Sequence, residues 1–132
     1  MKYLLDTNIC IYIIKRKPET VLGQLKQKQG DGVAISAITL AELQHGVESS
    51  EYPEKNAVAL RQMLAIMTVL PFDDLAATEY GKVRADLQRK GTPIGPMDTL
   101  IAAHARAAKL ILVTNNLREF ERVDELILEN WI

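Results

Sequence analysis

Three acidic residues, Asp6, Glu42 and Asp98, occur where they could act together. Asp6 follows a short apolar run, Glu42 lies in the first turn of a helix expected after a second apolar run, and Asp98 is near the start of a later helix. Carboxylate oxygens are hard ligands that suit Mg²⁺ or Mn²⁺, and no cluster of Cys and His suggests zinc. The acids therefore predict a divalent-cation site, provided that folding brings them together.

Each acid also has a local explanation in helix capping. Asp6 can cap the helix that follows it, and Thr39 with Glu42 fits the T-x-x-E capping box. Asp98 follows Pro96, where a carboxylate gains about 0.3–1 kcal/mol from the helix dipole. Capping does not require three acids to converge, whereas metal binding does, and one carboxylate can do both.

The elements that would position these acids alternate between strand and helix. Short strands are expected at 2–5, 33–35, 69–70 and 111–113. Helices are expected over 9–15, 18–25, from Thr39 onward, over 53–67, over 74–90, and from Pro96 onward. This order predicts an α/β fold with a short central parallel sheet flanked by helices on both faces. Ligands of such sheets gather beyond the carboxyl ends of the strands, where Asp6 lies.

Composition sets the class of protein. The 132 residues are 48% apolar and 25% charged, as in a soluble globular protein with one core, so we expect a single domain over 1–132. The net charge of −1 gives no general attraction to nucleic acid. One cysteine, Cys10, excludes an internal disulfide and favours the reducing cytoplasm. Asp6 and Asn8 interrupt the N-terminal apolar run, so we expect no membrane contact.

Four stretches of the sequence together resemble one known family. The strings are LLDTNICIYII, AITLAELQHGV, GTPIGPMDTLIAAHA and LVTNNLREFERV. In order and spacing they resemble the successive motifs of VapC-type toxin ribonucleases of the PIN-domain family, over nearly the whole chain. The resemblance implies a PIN-like α/β fold and a metal-dependent endoribonuclease, in which Asp6, Glu42 and Asp98 form the catalytic acidic site and Asp6 and Asp98 are metal ligands.

The fourth position of the site departs from the commoner family pattern. Many PIN domains have an Asp where Asn116 stands, and the nearest acid downstream is Glu119. Glu119 could supply the fourth catalytic carboxylate, or it could be a solvated acid beside Arg118 and Arg122. Asn116 could ligate through its carbonyl oxygen. The sequence leaves the choice open.

Short polar residues flank the acids and could support them. Thr7, Asn8 and Thr114, with Asn116, could hold carboxylates or water around a metal, although each also suits a turn or a cap. Basic residues that could follow a phosphate backbone, or simply face solvent, are Lys15, Arg16, Lys17, Arg84, Arg89 and Lys90.

The resemblance also implies partners and a substrate. Members of the family cut structured RNA, and the enterobacterial type cuts initiator tRNA in its anticodon stem-loop. A homodimer is implied, together with a VapB-like antitoxin whose extended tail blocks the site. Contact with operator DNA would be indirect, through the antitoxin.

Three alternative functions have a partial basis in the sequence. A haloacid-dehalogenase-like phosphatase would use Asp6 as nucleophile, but it expects a second Asp where Asn8 stands. A di-iron site would need more than the one Glu42-x-x-His45 pair, so His45 and His104 are interpreted as structural or surface residues. A PIN-like binding module without catalysis is the third, and Asn116 is its main argument.

Overall fold

Five short parallel strands form the centre of the protein. The computed structural model describes all residues from Met1 to Ile132. The strands are β1 (Tyr3–Leu5), β2 (Val33–Ser36), β3 (Thr68–Leu70), β4 (Ile111–Val113) and β5 (Leu128–Glu129). They lie in the order β3-β2-β1-β4-β5, and each neighbouring pair is parallel. The predicted α/β class and parallel sheet are confirmed.

Seven helices connect the strands. They are α1 (Thr7–Lys15), α2 (Glu19–Lys28), α3 (Ala37–Glu48), α4 (Pro53–Leu64), α5 (Asp74–Lys90), α6 (Pro96–Ala108) and α7 (Leu117–Phe120). A 3₁₀ turn at Gln29–Asp31 joins α2 to β2. None of the helices is long and apolar enough to cross a membrane.

Two apolar cores cover the two faces of the sheet, because side chains alternate along each strand. Tyr3 and Leu5 of β1 join the core that α1 to α4 cover, with the buried Trp131 at its edge. Leu4, between them, joins the core on the opposite face, which α5 and α6 cover with Phe120. Helices on both faces are therefore confirmed, and they leave the strand ends as the place where polar groups can gather.

The start of α3 differs from its prediction. The helix begins at Ala37, directly after β2, and its cap is Ser36, whose Oγ accepts a hydrogen bond from the Ile38 amide at 3.1 Å. Thr39 is buried inside the helix, so the predicted Thr39–Glu42 capping box is wrong. Glu42 consequently lies in the second turn rather than the first.

Other boundaries shift by a few residues. The helix predicted through Met67 ends at Leu64, and Pro18 is the cap of α2 rather than its first residue. The sequence predicted neither the short α7 nor β5, which are four and two residues long. Elements this short carry too little periodicity to be recognised.

The order of the strands creates a crevice at the carboxyl end of β1. The chain runs from β1 outward through β2 to β3 on one side, and then places β4 and β5 on the other side of β1. Such a reversal separates the connections that follow β1 and β4, and ligands of open α/β sheets bind in the gap that results. Asp6 follows β1 and Thr114 follows β4, so both lie at this point.

Candidate acidic site for a divalent cation

Asp6 caps α1 and is buried at the switch point. Its Oδ1 accepts a hydrogen bond from the Ile9 amide at 2.9 Å, and its own amide donates to the Val113 carbonyl at 3.0 Å. The side chain is only 3% exposed. Burial raises its pKa and the charge of Glu42 adds to this, while hydrogen bonds from Thr114 and the α1 amides oppose the rise. Asp6 is thus both a cap and a member of the acidic group.

Glu42 reaches the same place from α3. Its Oε1 accepts a hydrogen bond of 2.6 Å from Oγ1 of Thr7, at the start of α1. Thr7 Oγ1 also lies 3.3 Å from Oγ1 of the buried Thr39. The hydroxyl of Thr7 therefore holds the Glu42 carboxylate against the N-terminus of α1, next to Asp6.

Asp98 is the acid on which all three of the others act. It lies in the first turn of α6 and is partly buried. Burial raises the pKa of Asp98 to about 7, with further contributions from Glu119, which also shares a hydrogen bond with it, and from the charges of Asp6 and Glu42. The other three carboxyl groups are therefore close enough to affect the ionisation of Asp98.

Glu119 lies beside Asp98 and is held in place from two sides. Its Oε1 accepts a 3.0 Å hydrogen bond from the Gly95 amide, and its Oε2 accepts one of 2.6 Å from Nδ2 of Asn116. These donors, the Gly95 amide foremost, keep the pKa of Glu119 below its usual value although burial opposes them. Asn116 thus acts as a donor to Glu119, and it is Glu119 that brings a fourth carboxylate to the group.

The donor set fits Mg²⁺ or Mn²⁺ by its chemistry. All four acids offer hard oxygen ligands, and a bound cation would offset the burial and the like charges that raise the pKa of Asp98. No three His, Cys, Asp or Glu side chains stand in coordinating geometry. The carboxylates are therefore not already gathered around a common point. A cation would have to draw them together.

The polar residues predicted to support the acids do so to different degrees. Thr7 contacts Glu42, and the fully buried Thr114 bonds to Asp6 through its side chain while accepting the Asn116 amide at 2.9 Å. Asn8 contributes only its backbone amide to Asp6, and it is exposed. The contact of Asn116 with Glu119 was not predicted, since the sequence gives no sign of which group its amide faces.

The chain is similar to known proteins in both sequence and structure. The sequence profile of the PIN domain matches residues 3–126. The chain belongs to the PIN domain family.

This PIN domain is 48% identical over 132 residues to "Ribonuclease VapC2" of Haemophilus influenzae, covering 100% of this chain and 99% of that protein. It is also 48% identical over 131 residues to the "tRNA(fMet)-specific endonuclease VapC" of Shigella flexneri, covering 99% of this chain and 98% of the relative. A solved structure of VapBC2 from Rickettsia felis bound to a promoter DNA fragment matches with a TM-score of 0.96 at 43% identity, covering 100% of both chains. The resemblance to VapC-type members, expected from the four motifs, is confirmed.

Few of the basic residues predicted to follow a phosphate backbone lie near the acids of this PIN domain. Lys15 and Arg16 end α1, about 13 Å along the helix from its acidic start. Arg89 and Lys90 face Asp86 at 4.0 and 2.9 Å. Arg84 forms no ion pair and stands on α5, near the loop that leads to Asp98.

The two histidines do not join the site. His45 is exposed on α3, whereas His104 is buried on α6, where its Nδ1 lies 2.7 Å from Ser36 Oγ. The ring of Phe72 packs edge-on against His104 at 5.4 Å between ring centroids. A structural or surface role for both histidines, as predicted, agrees with these positions.

Proposed function

We propose that this PIN domain is a Mg²⁺- or Mn²⁺-dependent endoribonuclease and the toxin of a toxin–antitoxin pair. The observation that carries the proposal is that Asp6, Glu42, Asp98 and Glu119 lie at the switch point of the sheet, where the other three acids act on the pKa of Asp98. VapC ribonucleases that match over the full chain support it. Asp6 and Asp98 are assigned as metal ligands, and Glu42 and Glu119 complete the catalytic acids.

The phosphodiester and the acids are all negatively charged, so hydrolysis at this site needs a cation that binds both. A bound divalent cation would neutralise the phosphate, make a water molecule more acidic and stabilise charge on the leaving oxygen. The catalytic residues of this chain need no nucleophilic Ser, Cys or His, and the two histidines lie outside the site.

The surrounding residues hold the acids in place. Thr7 orients Glu42, Thr114 orients Asp6, and the Gly95 amide with Asn116 orients Glu119. With its pKa raised to about 7, Asp98 is partly protonated at neutral pH, while the pKa of the neighbouring Glu119 is lowered. Loss of that proton leaves both groups as acceptors, which is the state in which they attract a cation.

The substrate that we assign is the anticodon stem-loop of initiator tRNA, with a 5′-phosphate and a 3′-hydroxyl as products. The Shigella flexneri relative, named a tRNA(fMet)-specific endonuclease, supports this choice. A VapB-like antitoxin is proposed from the DNA-bound VapBC structures. A homodimer, and contact with operator DNA only through the antitoxin, are proposed from the resemblance to VapC-type toxins. Action on tRNA, with a buried and unpaired Cys10, fits the cytoplasm.

The test is cleavage of initiator tRNA by the wild type, Asp98→Asn and Asp86→Asn, in Mg²⁺, in Mn²⁺ and in chelator. Asp86 is the matched control, because it lies on α5 and pairs with Lys90 rather than with the acidic group. We expect cation-dependent cutting by the wild type and Asp86→Asn, a loss of at least about 100-fold in Asp98→Asn, and fragments with the ends given above. Binding of tRNA without any cutting would instead identify a catalytically inactive binding module.

A further inference from the structure

A pocket next to the acidic site is formed by α5 and the loop that leads into α6. Its volume is about 210 Å³. This is several times the ~30 Å³ share of one water molecule and below the ~300 Å³ of a pocket for a drug-sized ligand. Leu87, Pro93, Ile94 and Pro96 supply its apolar lining. A single planar ring system is the size and character of ligand that it accepts.

Three polar side chains of α5 complete the pocket at intervals of one helical turn. They are Tyr80, Arg84 and Gln88. Arg84 Nη1 donates a 2.9 Å hydrogen bond to the Tyr80 hydroxyl, and its guanidinium carbon lies 6.0 Å from the centroid of the Tyr80 ring. No carboxylate pairs with Arg84, although its neighbours on the same helix, Lys82, Arg89 and Lys90, all have acidic partners. The pocket thus has an aromatic ring, a positive charge without an acidic partner and, in the exposed Gln88, an amide.

The pocket and the acidic site share the first turn of α6. Pro96 and Thr99, in the first turn of α6, line the pocket, while Asp98 from the same turn interacts with Glu119 and Asp6. A turn of helix rises only about 5 Å along its axis, so the pocket and Asp98 are neighbours on the same short stretch of α6. Thr99 and Gly95 hold the side of the pocket that the first turn of α6 forms. Thr99 Oγ1 donates to the Gly95 carbonyl at 2.8 Å, and the Gly95 amide donates to Glu119.

We propose that the pocket binds an unpaired nucleobase of the RNA, next to the phosphate that is cleaved. The proposal rests on the proposed ribonuclease function and adds a specificity-determining subsite to it. Proteins select single-stranded RNA by stacking splayed bases on aromatic rings and guanidinium planes and by bonding to base edges. Tyr80 would stack on the base, Gln88 would bond to its edge, and Arg84 would contact the adjoining phosphate. Cleavage in a loop rather than in a duplex follows, because only unpaired bases can enter.

The test couples changes in the protein to changes in the RNA. An anticodon stem-loop RNA is made intact and with an abasic site at each nucleotide beside the cleaved bond, and kcat/KM is measured in Mg²⁺. The proteins are the wild type, Tyr80→Leu, which keeps an apolar contact with the core, and Gln88→Ala, which alters an exposed residue. The control is Arg89→Ala, on the same helix but outside the pocket.

For the wild type we expect one abasic position to lower kcat/KM by about 10-fold, within the range given by the loss of one stacked base. Tyr80→Leu and Gln88→Ala should lower kcat/KM for intact RNA and reduce the penalty at that position alone, so that the two changes together cost less than their product. Arg89→Ala should retain the full penalty.

Two other results would overturn the subsite alone. If cleavage is intact but the protein and RNA changes multiply independently at every position, the pocket does not hold a base. If the substitutions leave the base penalty unchanged and weaken dimerisation or antitoxin binding, the pocket receives a protein segment. A wild type that neither binds nor cleaves the RNA would overturn the proposed function together with the subsite.

Discussion

At the scale of single residues, the site contains carboxyl groups that are buried, although a charged carboxylate is more stable in water. Asp6 is almost fully buried, and Asp98 is partly buried beside Glu119. Burial and like charge both raise the free energy of the ionised forms, so the protein holds these groups at a cost in stability. Such a cost is typical of a binding site, where the ligand relieves it.

The pKa of Asp98 gives a prediction about stability in chelator. Its folded-state value of about 7 exceeds the ordinary 3.8, so the folded protein binds more protons between these values, and the stabilisation due to Asp98 is lost as the pH rises through 7. The Asp98→Asn variant has no carboxyl group to ionise at this position, so it does not lose this stabilisation as the pH rises. We expect its free energy of unfolding at pH 8 to exceed that of the wild type by about 1–2 kcal/mol, a value reduced for the partial exposure of the carboxyl.

Urea unfolding at pH 8 and at pH 4.5 measures this difference. The gain should shrink toward zero at the lower pH, where Asp98 of the wild type is protonated as well. An equal gain at both pH values would contradict the assigned charge repulsion.

Thr7 gives a second prediction at this scale. Its hydroxyl donates the 2.6 Å hydrogen bond that orients Glu42. Thr7→Val keeps the shape of the side chain but removes the donor, and we expect about a 10-fold loss of cleavage or metal affinity, as for other groups that orient ligands. Thr7→Ser retains the donor and should stay near the wild type. A serine variant as impaired as the valine variant would show that the methyl group, not the hydrogen bond, is what matters.

At the scale of elements, the ends of strands and helices bring the polar groups together. Asp6 caps α1 just beyond β1, Ser36 caps α3 from the last position of β2, and Thr114 follows β4. Ser36 does more than cap, since its Oγ also meets Nδ1 of the buried His104 from the other layer of helices. It joins α3 to α6 across the end of the sheet.

Ser36→Ala should therefore destabilise the fold more than loss of an ordinary cap. It removes the bond to the Ile38 amide and leaves buried His104 without its partner, and we expect a loss of about 2–3 kcal/mol. The matched control is Asp73→Ala, because Asp73 caps α5 through Ala76 at 2.9 Å and acts on the buried His104 only through its charge, without a hydrogen bond; about 1 kcal/mol is expected. Denaturant unfolding of both variants tests this, and equal losses would contradict a joining role for Ser36.

The sequence correctly predicts the elements that have a strong hydrophobic pattern, but it does not predict the residues at which they begin and end. β1, β2 and β4 were predicted because they are continuous apolar runs of a buried parallel sheet, whereas β5 has only two residues and is recognised only by its pairing with β4. The capping box failed because Ser36, still part of β2, already caps α3, so that no loop separates strand from helix. A local motif cannot show where the preceding strand ends.

At the scale of the whole molecule, the strand order decides where the site forms. Asp6, Glu42 and Asp98 are far apart in sequence, and they meet because β1 lies between β2 and β4 at the switch point. The sequence could predict which acids take part from their positions after strands and at helix starts. It could not choose between Asn116 and Glu119, since that choice depends on how α7 turns toward the Gly95 loop.

The central claim is that the four acids form one divalent-cation site. Titration of Mn²⁺ into the wild type, Asp6→Asn, Asp98→Asn and the control Asp86→Asn, followed by electron paramagnetic resonance at pH 8, tests it without any substrate. The account predicts saturable Mn²⁺ binding by the wild type and Asp86→Asn, weakened at least about 10-fold in both site variants. Equal binding by all four proteins would place the cation elsewhere and contradict the account.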